Sequence, residues 1–166
     1  MVRLNFFEMM AFVRGCYEVS VAKSDDDLSE AQMLRGLCFN LEGSDADGFD
    51  KSCSHILIRS TQDNRLVGCF RMLAVTGASI DTSYSAQFCD LSALAGFSGS
   101  MIELGRFCIH PNEQDPDIIR IAWAALTACV DENHISMLFG CTSFSGNDTA
   151  AHQAVFALLG ECHTAP

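Results

Sequence analysis

Hydrophobic and polar residues first alternate and then follow a helical period near the start of the chain. Residues 17–24 (YEVSVAKS) alternate as a half-buried strand does, and Ser24 is a suitable N-cap for a helix. Three aspartates in the first turn suit the helix dipole, and apolar residues at helical spacing continue to Leu41. The polar, glycine-containing stretch 42–52 then predicts a loop.

Apolar runs in the middle of the chain predict three strands. HILIRS (55–60) and RLVGCFRMLAV (65–75) flank the short polar sequence TQDN, so we predict a β-hairpin. A largely polar stretch follows. MIELGRFCI (101–109) is then apolar again and predicts a further buried strand, although it carries two charges.

The last third of the chain predicts two helices around one strand. Residues 115–133 begin with Asp115 as a good N-cap and repeat apolar residues three and four apart. Residues 136–144 predict a buried strand, and residues 146–160 predict a final helix capped by Asp148. The full order is strand, helix, hairpin, strand, helix, strand, helix. It predicts an α/β (α+β) fold, a mixed central sheet flanked by helices.

Charged residues interrupt the apolar strands at three positions. Glu103 and Arg106 flank Gly105 in one strand, and Arg71 lies inside the hairpin. Residues three apart on a regular strand point to opposite faces, and burying either charge unpaired would be costly. A β-bulge at or next to Gly105 would turn both side chains into one cavity and free backbone N–H groups for acyl transfer. The spacing leaves open the alternative of an ion pair at a sheet edge.

Composition and charge exclude several classes of protein. The 166 residues are 49% hydrophobic with only three prolines, which predicts one folded domain (1–166) rather than a disordered chain. The net charge of −11 argues against nucleic acid as a partner, because phosphates attract basic surfaces. Pairs such as Cys53 and His55 lack further convergent ligands, so no metal site is predicted.

The distribution of apolar residues bears on where the protein acts. No apolar run is long enough to cross a membrane, and the first residues show no signal-peptide cleavage pattern. We therefore expect a cytoplasmic protein. The apolar residues 1–15, interrupted by Glu8 and Arg14, leave open a loose peripheral contact with a membrane.

Six blocks of the sequence resemble one bacterial family. They are AQMLRGLCF, DADGFDKSCSHILI, LVGCFRML, YSAQFCDLSAL, IELGRFCIHP and LFGCTSFSGND. In this order they resemble the ornithine–acyl carrier protein N-acyltransferases, a GNAT-like group related to the acyl-homoserine-lactone synthases. The blocks DKSCSHILI, YSAQF and FGCTSFSGND are more similar to the ornithine enzymes than to the lactone synthases.

The resemblance implies a GNAT-like fold and a reaction. A 3-hydroxyacyl chain would pass from acyl carrier protein to the α-amino group of ornithine, giving lyso-ornithine lipid. The donor would be the acyl-phosphopantetheine of the carrier protein, with no bound cofactor, and the lipid product suggests the inner face of the bacterial inner membrane. The family continues well past the last residue of this chain, so we expect the last C-terminal strands of the fold to be missing.

The resemblance also implies a set of site residues. The catalytic ones would be Glu103, Arg106 and Arg71, and the substrate-binding ones Asp47, Asp50, Arg35 and Phe39. The two aspartates would bind the ammonium groups of ornithine or order their loop. The strand arginines would hold the substrate carboxylate or brace the acidic pair. The helix residues Arg35 and Phe39 would line the mouth or make an ordinary helix-to-sheet contact.

The loop HPNEQDPD (110–117) bears on the donor. It has no glycine and three acidic residues, so it is a poor cradle for the pyrophosphate of coenzyme A. A thioester on the pantetheine arm of acyl carrier protein fits this loop better, because it brings no pyrophosphate to the mouth of the site. We expect that thioester to lie between strands 101–109 and 136–144, with Glu103 removing a proton from the α-ammonium group. The alternative is that Glu103 only pairs with Arg71 or Arg106.

Two other functions stay open from the sequence. An acyl-homoserine-lactone synthase would share the charged residues and would use S-adenosylmethionine as acceptor. A non-catalytic GNAT-like remnant would bind only a carrier protein or another chain.

Overall fold

The structure is a computed structural model that describes residues 12–144, 146 and 148–163. Its strands are β1 (Phe12–Arg14), β2 (Tyr17–Val21), β3 (Ser54–Ser60), β4 (Leu66–Val75), β5 (Ser100–Ile109) and β6 (Ile135–Phe139). Its helices are α1 (Asp25–Cys38), α2 (Pro116–Glu132) and α3 (Gln153–Cys162). Most of the apolar N-terminal segment, and with it the predicted membrane contact, lies outside the described residues.

These strands form one mixed sheet in the order β1-β2-β3-β4-β5-β6. Neighbours from β1 to β5 are antiparallel, whereas β6 runs parallel to β5 because α2 carries the chain back between them. Helix α1 packs against β3, β4 and β5, and α2 packs against β2 and β6. Alternate residues of β3 and β4 belong to different apolar clusters, so the two helices cover opposite faces. The predicted mixed sheet with flanking helices is confirmed.

Local signals explain both ends of α1. Ser24 and Asp27 form a capping box, in which the Ser24 Oγ accepts from the Asp27 N–H at 3.1 Å. The helix ends at Cys38, earlier than the predicted Leu41, because Asn40 adopts a left-handed backbone with φ of 55°. The chain then folds back along the helix, and the Asp45 N–H donates to the Gln32 carbonyl at 3.0 Å. This return brings the loop before β3 over the sheet.

The C-terminal elements are shorter than predicted. Strand β6 ends at Phe139 instead of residue 144, since the next residue, Gly140, lies against the Leu104 carbonyl oxygen. A Cβ atom at Gly140 would come within 2.3 Å of that oxygen, so only glycine fits this close approach. Asp148 caps a short 3₁₀ helix (Thr149–His152) instead of the predicted α-helix. Helix α3 therefore begins only at Gln153.

Candidate active site

A β-bulge interrupts the pairing of β4 and β5. Cys69 pairs with Cys108 and Arg71 pairs with Gly105, so Arg106 and Phe107 together lie opposite the single residue Phe70. The predicted irregularity next to Gly105 is therefore present. The left-handed backbone at this bulge belongs to Arg106, the residue after Gly105, with φ of 53°.

The bulge opens into a cavity of about 800 Å³. Arg71, Glu103 and Arg106 all line it, as the bulge hypothesis expected. Further walls come from the loop before β3, from the stretch between β4 and β5, and from the residues after β6. An acid and two guanidinium groups therefore face one space, although they come from two strands.

The cavity continues between β5 and β6 where these strands stop pairing. Their last paired residues are Glu103 and Phe139. Beyond that point Leu104–Phe107 on one side and Cys141–Ser143 on the other line the cavity. Glu103 thus lies at the place where the two strands separate, next to an open cleft.

Arg35 is the centre of a buried ionic cluster behind the cavity. Its side chain is fully buried, and its Nε donates to Asp45 Oδ2 at 2.9 Å. Its Nη1 and Nη2 donate to the two carboxylate oxygens of Asp50 at 2.9 and 3.1 Å, and Nη2 also donates to the Asp45 carbonyl. Arg35 fixes the loop before β3 to α1 and does not line the cavity.

The two strand arginines extend this cluster to the cavity wall. Arg71 Nη1 donates to Asp47 at 2.7 Å and to Asp50 at 2.9 Å. Arg106 donates from Nε to Asp45 at 2.8 Å and from Nη2 to Asp47 at 3.4 Å. Three aspartates of one loop therefore bridge three arginines from α1, β4 and β5.

The cluster keeps the carboxylates of Asp47 and Asp50 ionised. Burial alone would raise the pKa of Asp50, but hydrogen bonds from Arg35, the Asp47 N–H and Gln32 outweigh it and hold that pKa well below its usual range. Burial also raises the pKa of Asp47, but the hydrogen bond and the charge of Arg71 help to outweigh it, so the pKa of Asp47 is lowered as well. Neither aspartate lines the cavity, whereas Asp45 does. The geometry favours the alternative in which Asp47 and Asp50 order their loop.

Glu103 has partners of a different kind. It is 4% exposed, and it accepts from the Tyr84 N–H at 2.8 Å, the Ser85 N–H at 2.6 Å and the Ser85 hydroxyl. It makes no ion pair with Arg71 or Arg106 among the described residues. The pairing that the sequence left open for Glu103 is therefore absent from this part of the chain.

Aromatic rings complete the cavity wall. The Tyr84 ring centre lies 5.7 Å from the Arg71 Cζ and 5.1 Å from the Arg106 Cζ. Phe39 is 42% exposed, lines the mouth as predicted, and lies 5.6 Å from the Arg106 Cζ. Phe49 contacts both Arg71 and Tyr84.

Sequence reasoning missed Asp45, Tyr84 and Ser85 as site residues. Their only signal is that they lie in the blocks DADGFD and YSAQF, because no charge or period in a loop marks a residue that converges on a strand. Within the described residues, no three metal-ligating side chains come together. In the same part of the chain, no helix has both the length and the apolar character needed to cross a bilayer.

Comparisons of sequence identify relatives of this chain. The model of a family described as an acetyltransferase (GNAT) domain matches residues 32–124. An L-ornithine N(alpha)-acyltransferase of Rhodobacter capsulatus is 32% identical over 175 residues, covering 95% of this chain and 68% of the relative. A protein of the same name from Brucella abortus is 30% identical, covering 87% of this chain and 59% of its own length. An acyl-homoserine-lactone synthase of Agrobacterium fabrum is 27% identical over 55% of this chain and 44% of its own.

Solved structures share the fold. The crystal structure of the AHL synthase LasI has a TM-score of 0.59 at 21% identity, covering 86% of this chain and 78% of that protein. FeeM, an N-acyl amino acid synthase from uncultured soil microbes, has a TM-score of 0.56 at 16% identity, covering 87% and 77%. At these identities the likeness concerns the fold alone, and it agrees with the GNAT-like sheet.

Proposed function

Because this chain belongs to the L-ornithine N(alpha)-acyltransferase family and carries an acetyltransferase (GNAT) domain, we propose that it moves a 3-hydroxyacyl chain from acyl carrier protein to the α-amino group of ornithine. The family makes it an acyltransferase. The product would be lyso-ornithine lipid, and residues 1–166 would form one acyltransferase domain. The observation that carries this proposal is Glu103 at the point where β5 and β6 separate, inside the charged cavity.

The charge balance of the site supports a cationic acceptor. The cavity wall and the ionic cluster behind it together hold four carboxylates (Asp45, Asp47, Asp50, Glu103) and three guanidinium groups (Arg35, Arg71, Arg106), which leaves one net negative charge. An ammonium group would compensate it. Arg106 has the most exposed side chain of the three arginines, at 22% against 4% and 0%, so it is our candidate for the substrate carboxylate.

The start of α2 supports a carrier-bound donor over coenzyme A. A helix N-terminus in this position could bind a pyrophosphate. Here Asp115 already caps it, accepting from the Asp117 N–H at 2.9 Å, and the Tyr17 hydroxyl donates to the other carboxylate oxygen at 2.9 Å. A fixed carboxylate at this point repels phosphate. Acyl carrier protein presents the thioester on a pantetheine arm that would enter the cleft without a free pyrophosphate at this helix.

The proposed reaction is direct attack in a ternary complex. The amine nitrogen attacks the thioester carbonyl carbon, the C–N bond forms and the C–S bond breaks. The second proton that the nitrogen loses passes to the departing sulfur, so pantetheine leaves as a thiol. Glu103 accepts a proton from the α-ammonium group, directly or through water. Backbone N–H groups near the bulge at Arg106 and Phe107, which have no paired residue on β4, would polarise the carbonyl.

The apolar mouth of the cavity supports peripheral contact of this protein with a membrane. Phe39, Leu41, Phe88 and Phe107 line the cavity and are 42–67% exposed. A lipid product would leave across this rim. Since carrier protein and ornithine are soluble, we assign the reaction to the cytoplasm, next to the inner membrane, as part of the proposal.

Replacing Glu103 tests the proposal directly. We expect Glu103→Gln to lower turnover by about 100- to 10,000-fold, because a positioned base contributes a factor of that order. The assay combines 3-hydroxyacyl carrier protein with ornithine or with S-adenosylmethionine, and mass spectrometry identifies the product. The control is Glu113→Gln, whose carboxylate lies outside the cavity and pairs with Arg65. Near-wild-type rates for Glu103→Gln would reject the base, and a lactone product would reject ornithine as acceptor.

A further inference from the structure

A short segment between β4 and β5 (residues 83–86) holds the carboxylate of Glu103 through Tyr84 and Ser85. The two backbone N–H groups of Tyr84 and Ser85 and the Ser85 hydroxyl all donate to it. Ser85 is 3% exposed, so these bonds are shielded from water. This contact joins a residue 18 positions earlier in the chain to the centre of β5.

The two oxygens of Glu103 are used unequally. An ionised carboxylate oxygen offers about two acceptor sites. Oε1 accepts from both the N–H and the hydroxyl of Ser85, so it is saturated. Among the residues that the structure describes, Oε2 accepts only from the Tyr84 N–H at 2.8 Å and keeps one site. A proton taken by Glu103 therefore has to enter on Oε2.

Cys141 fixes the direction of the Ser85 hydroxyl. The Cys141 thiol lines the cavity and donates to Ser85 Oγ at 3.3 Å. Since the hydroxyl has a single hydrogen and its oxygen already accepts from the thiol, that hydrogen points at Glu103 Oε1.

We propose that Ser85 is a positioning residue for acyl transfer, which saturates Glu103 Oε1 and turns the free site of Oε2 to the amine. This inference rests on the proposed function, because it assigns Ser85 a role only through Glu103 as the base. Ser85 itself does not touch the substrate in this scheme. Loss of its hydroxyl opens an acceptor site on Oε1 while the two backbone N–H bonds remain, so either oxygen can meet the amine and fewer complexes have the productive geometry.

Ser83 supplies a matched control two residues earlier. It is also buried, and its hydroxyl also holds this segment, donating to the Ile80 carbonyl at 2.7 Å and accepting from the Ala86 N–H at 3.3 Å. It does not contact Glu103. Ser83→Ala therefore removes a structural hydroxyl from the same segment without altering the partners of the carboxylate.

The test is steady-state kinetics of Ser85→Ala against Ser83→Ala in the full chain. We expect Ser85→Ala to lower kcat by about 10- to 100-fold, the loss typical of one hydrogen bond to a charged group, with KM for ornithine almost unchanged. Ser85→Cys, which keeps a weaker donor, should fall between Ser85→Ala and wild type. Ser83→Ala should have the same kcat as the wild-type protein. Equal kcat in Ser85→Ala, Ser85→Cys and Ser83→Ala would overturn the inference.

A double-mutant cycle with Glu103→Gln, under single-turnover conditions, separates this inference from the proposed function. If Ser85 acts through Glu103, adding Ser85→Ala to Glu103→Gln costs less than about threefold, far less than in wild type. Independent, multiplicative losses would overturn the positioning role and leave the base in place. Full activity of Glu103→Gln would instead reject the base, and the positioning role with it.

Discussion

The two faces of the sheet use the same strands in different ways. On the face covered by α2, residues such as Phe70, Met72 and Ile102 join a continuous apolar core. On the other face Arg71, from the same strand as Phe70, enters a cluster of six charged groups. Alternation along β4 thus sends a continuous apolar layer to one side, and to the other side a charged site set between smaller apolar clusters.

The difference shows how the protein separates stability from chemistry. Apolar burial on the α2 face favours folding without any specific partner. Each guanidinium group on the other face loses hydration, and this cost is offset only because Asp45, Asp47 and Asp50 accept its hydrogen bonds. The charged face is therefore sensitive to the loss of a single partner, whereas the apolar face tolerates small changes of volume.

Asp50→Asn is expected to have the largest effect on stability. It removes the charge that Arg35 and Arg71 share, leaving two buried cations short of a partner. We expect the free energy of unfolding to fall by about 3–5 kcal/mol, as for other broken buried pairs. Urea denaturation followed by circular dichroism measures it. Asp63→Asn is the control, because that carboxylate is exposed and its ion pair is with the exposed Arg65. Equal stability of the two variants would show that the cluster is not structural.

Ile121→Val tests the apolar face with a smaller change. Ile121 belongs to α2, is 1% exposed, and packs into the core between this helix and the sheet. We expect a loss of about 0.5–1.5 kcal/mol in unfolding free energy, the usual cost of one buried methyl group. Turnover with the proposed substrates should stay at the wild-type value, because Ile121 does not line the cavity. A loss of turnover in the folded variant would show that the two faces are coupled.

The smallest expected effect is a pH dependence of stability from His55, which lies under the charged cluster. Burial lowers the pKa of His55, although its Nε2 donates to the Asp50 carbonyl at 3.0 Å. As the pH falls, His55 therefore takes up a proton in the unfolded chain before it does so in the folded chain. We expect unfolding free energy to be highest above about pH 6.5 and to fall as the pH drops below that value. Urea titrations from pH 7.5 to about 5 measure this. His55→Gln should flatten the slope, and an unchanged slope would contradict the assignment.

Local signals in the sequence were sufficient for most elements. The capping box at Ser24, the hairpin around TQDN and the Asp115 cap of α2 all form as predicted, because each depends on residues a few positions apart. The ends of β6 and α1 did not follow the pattern. Gly140 against Leu104 and the left-handed Asn40 end these elements, and the first of these contacts joins residues far apart in sequence.

The candidate site divides in the same way. Charges inside apolar strands marked Glu103, Arg106 and Arg71, since an ionised group in such a run needs a partner. The identity of those partners could not be predicted. Nothing in the spacing indicates that Asp45 bridges two arginines, or that Tyr84 and Ser85 hold the carboxylate.

The sequence alone therefore determined the order of elements from β2 to α3, the mixed sheet and the strand residues that carry charge, but not β1. The tertiary structure decided which groups meet, which residue bends at the bulge, and which oxygen of Glu103 stays open. The physical reason is the distance along the sequence over which each kind of interaction acts. Propensity, capping and periodicity act within a few residues, whereas hydrogen bonds and ion pairs here join α1, three strands and two loops that only folding brings together.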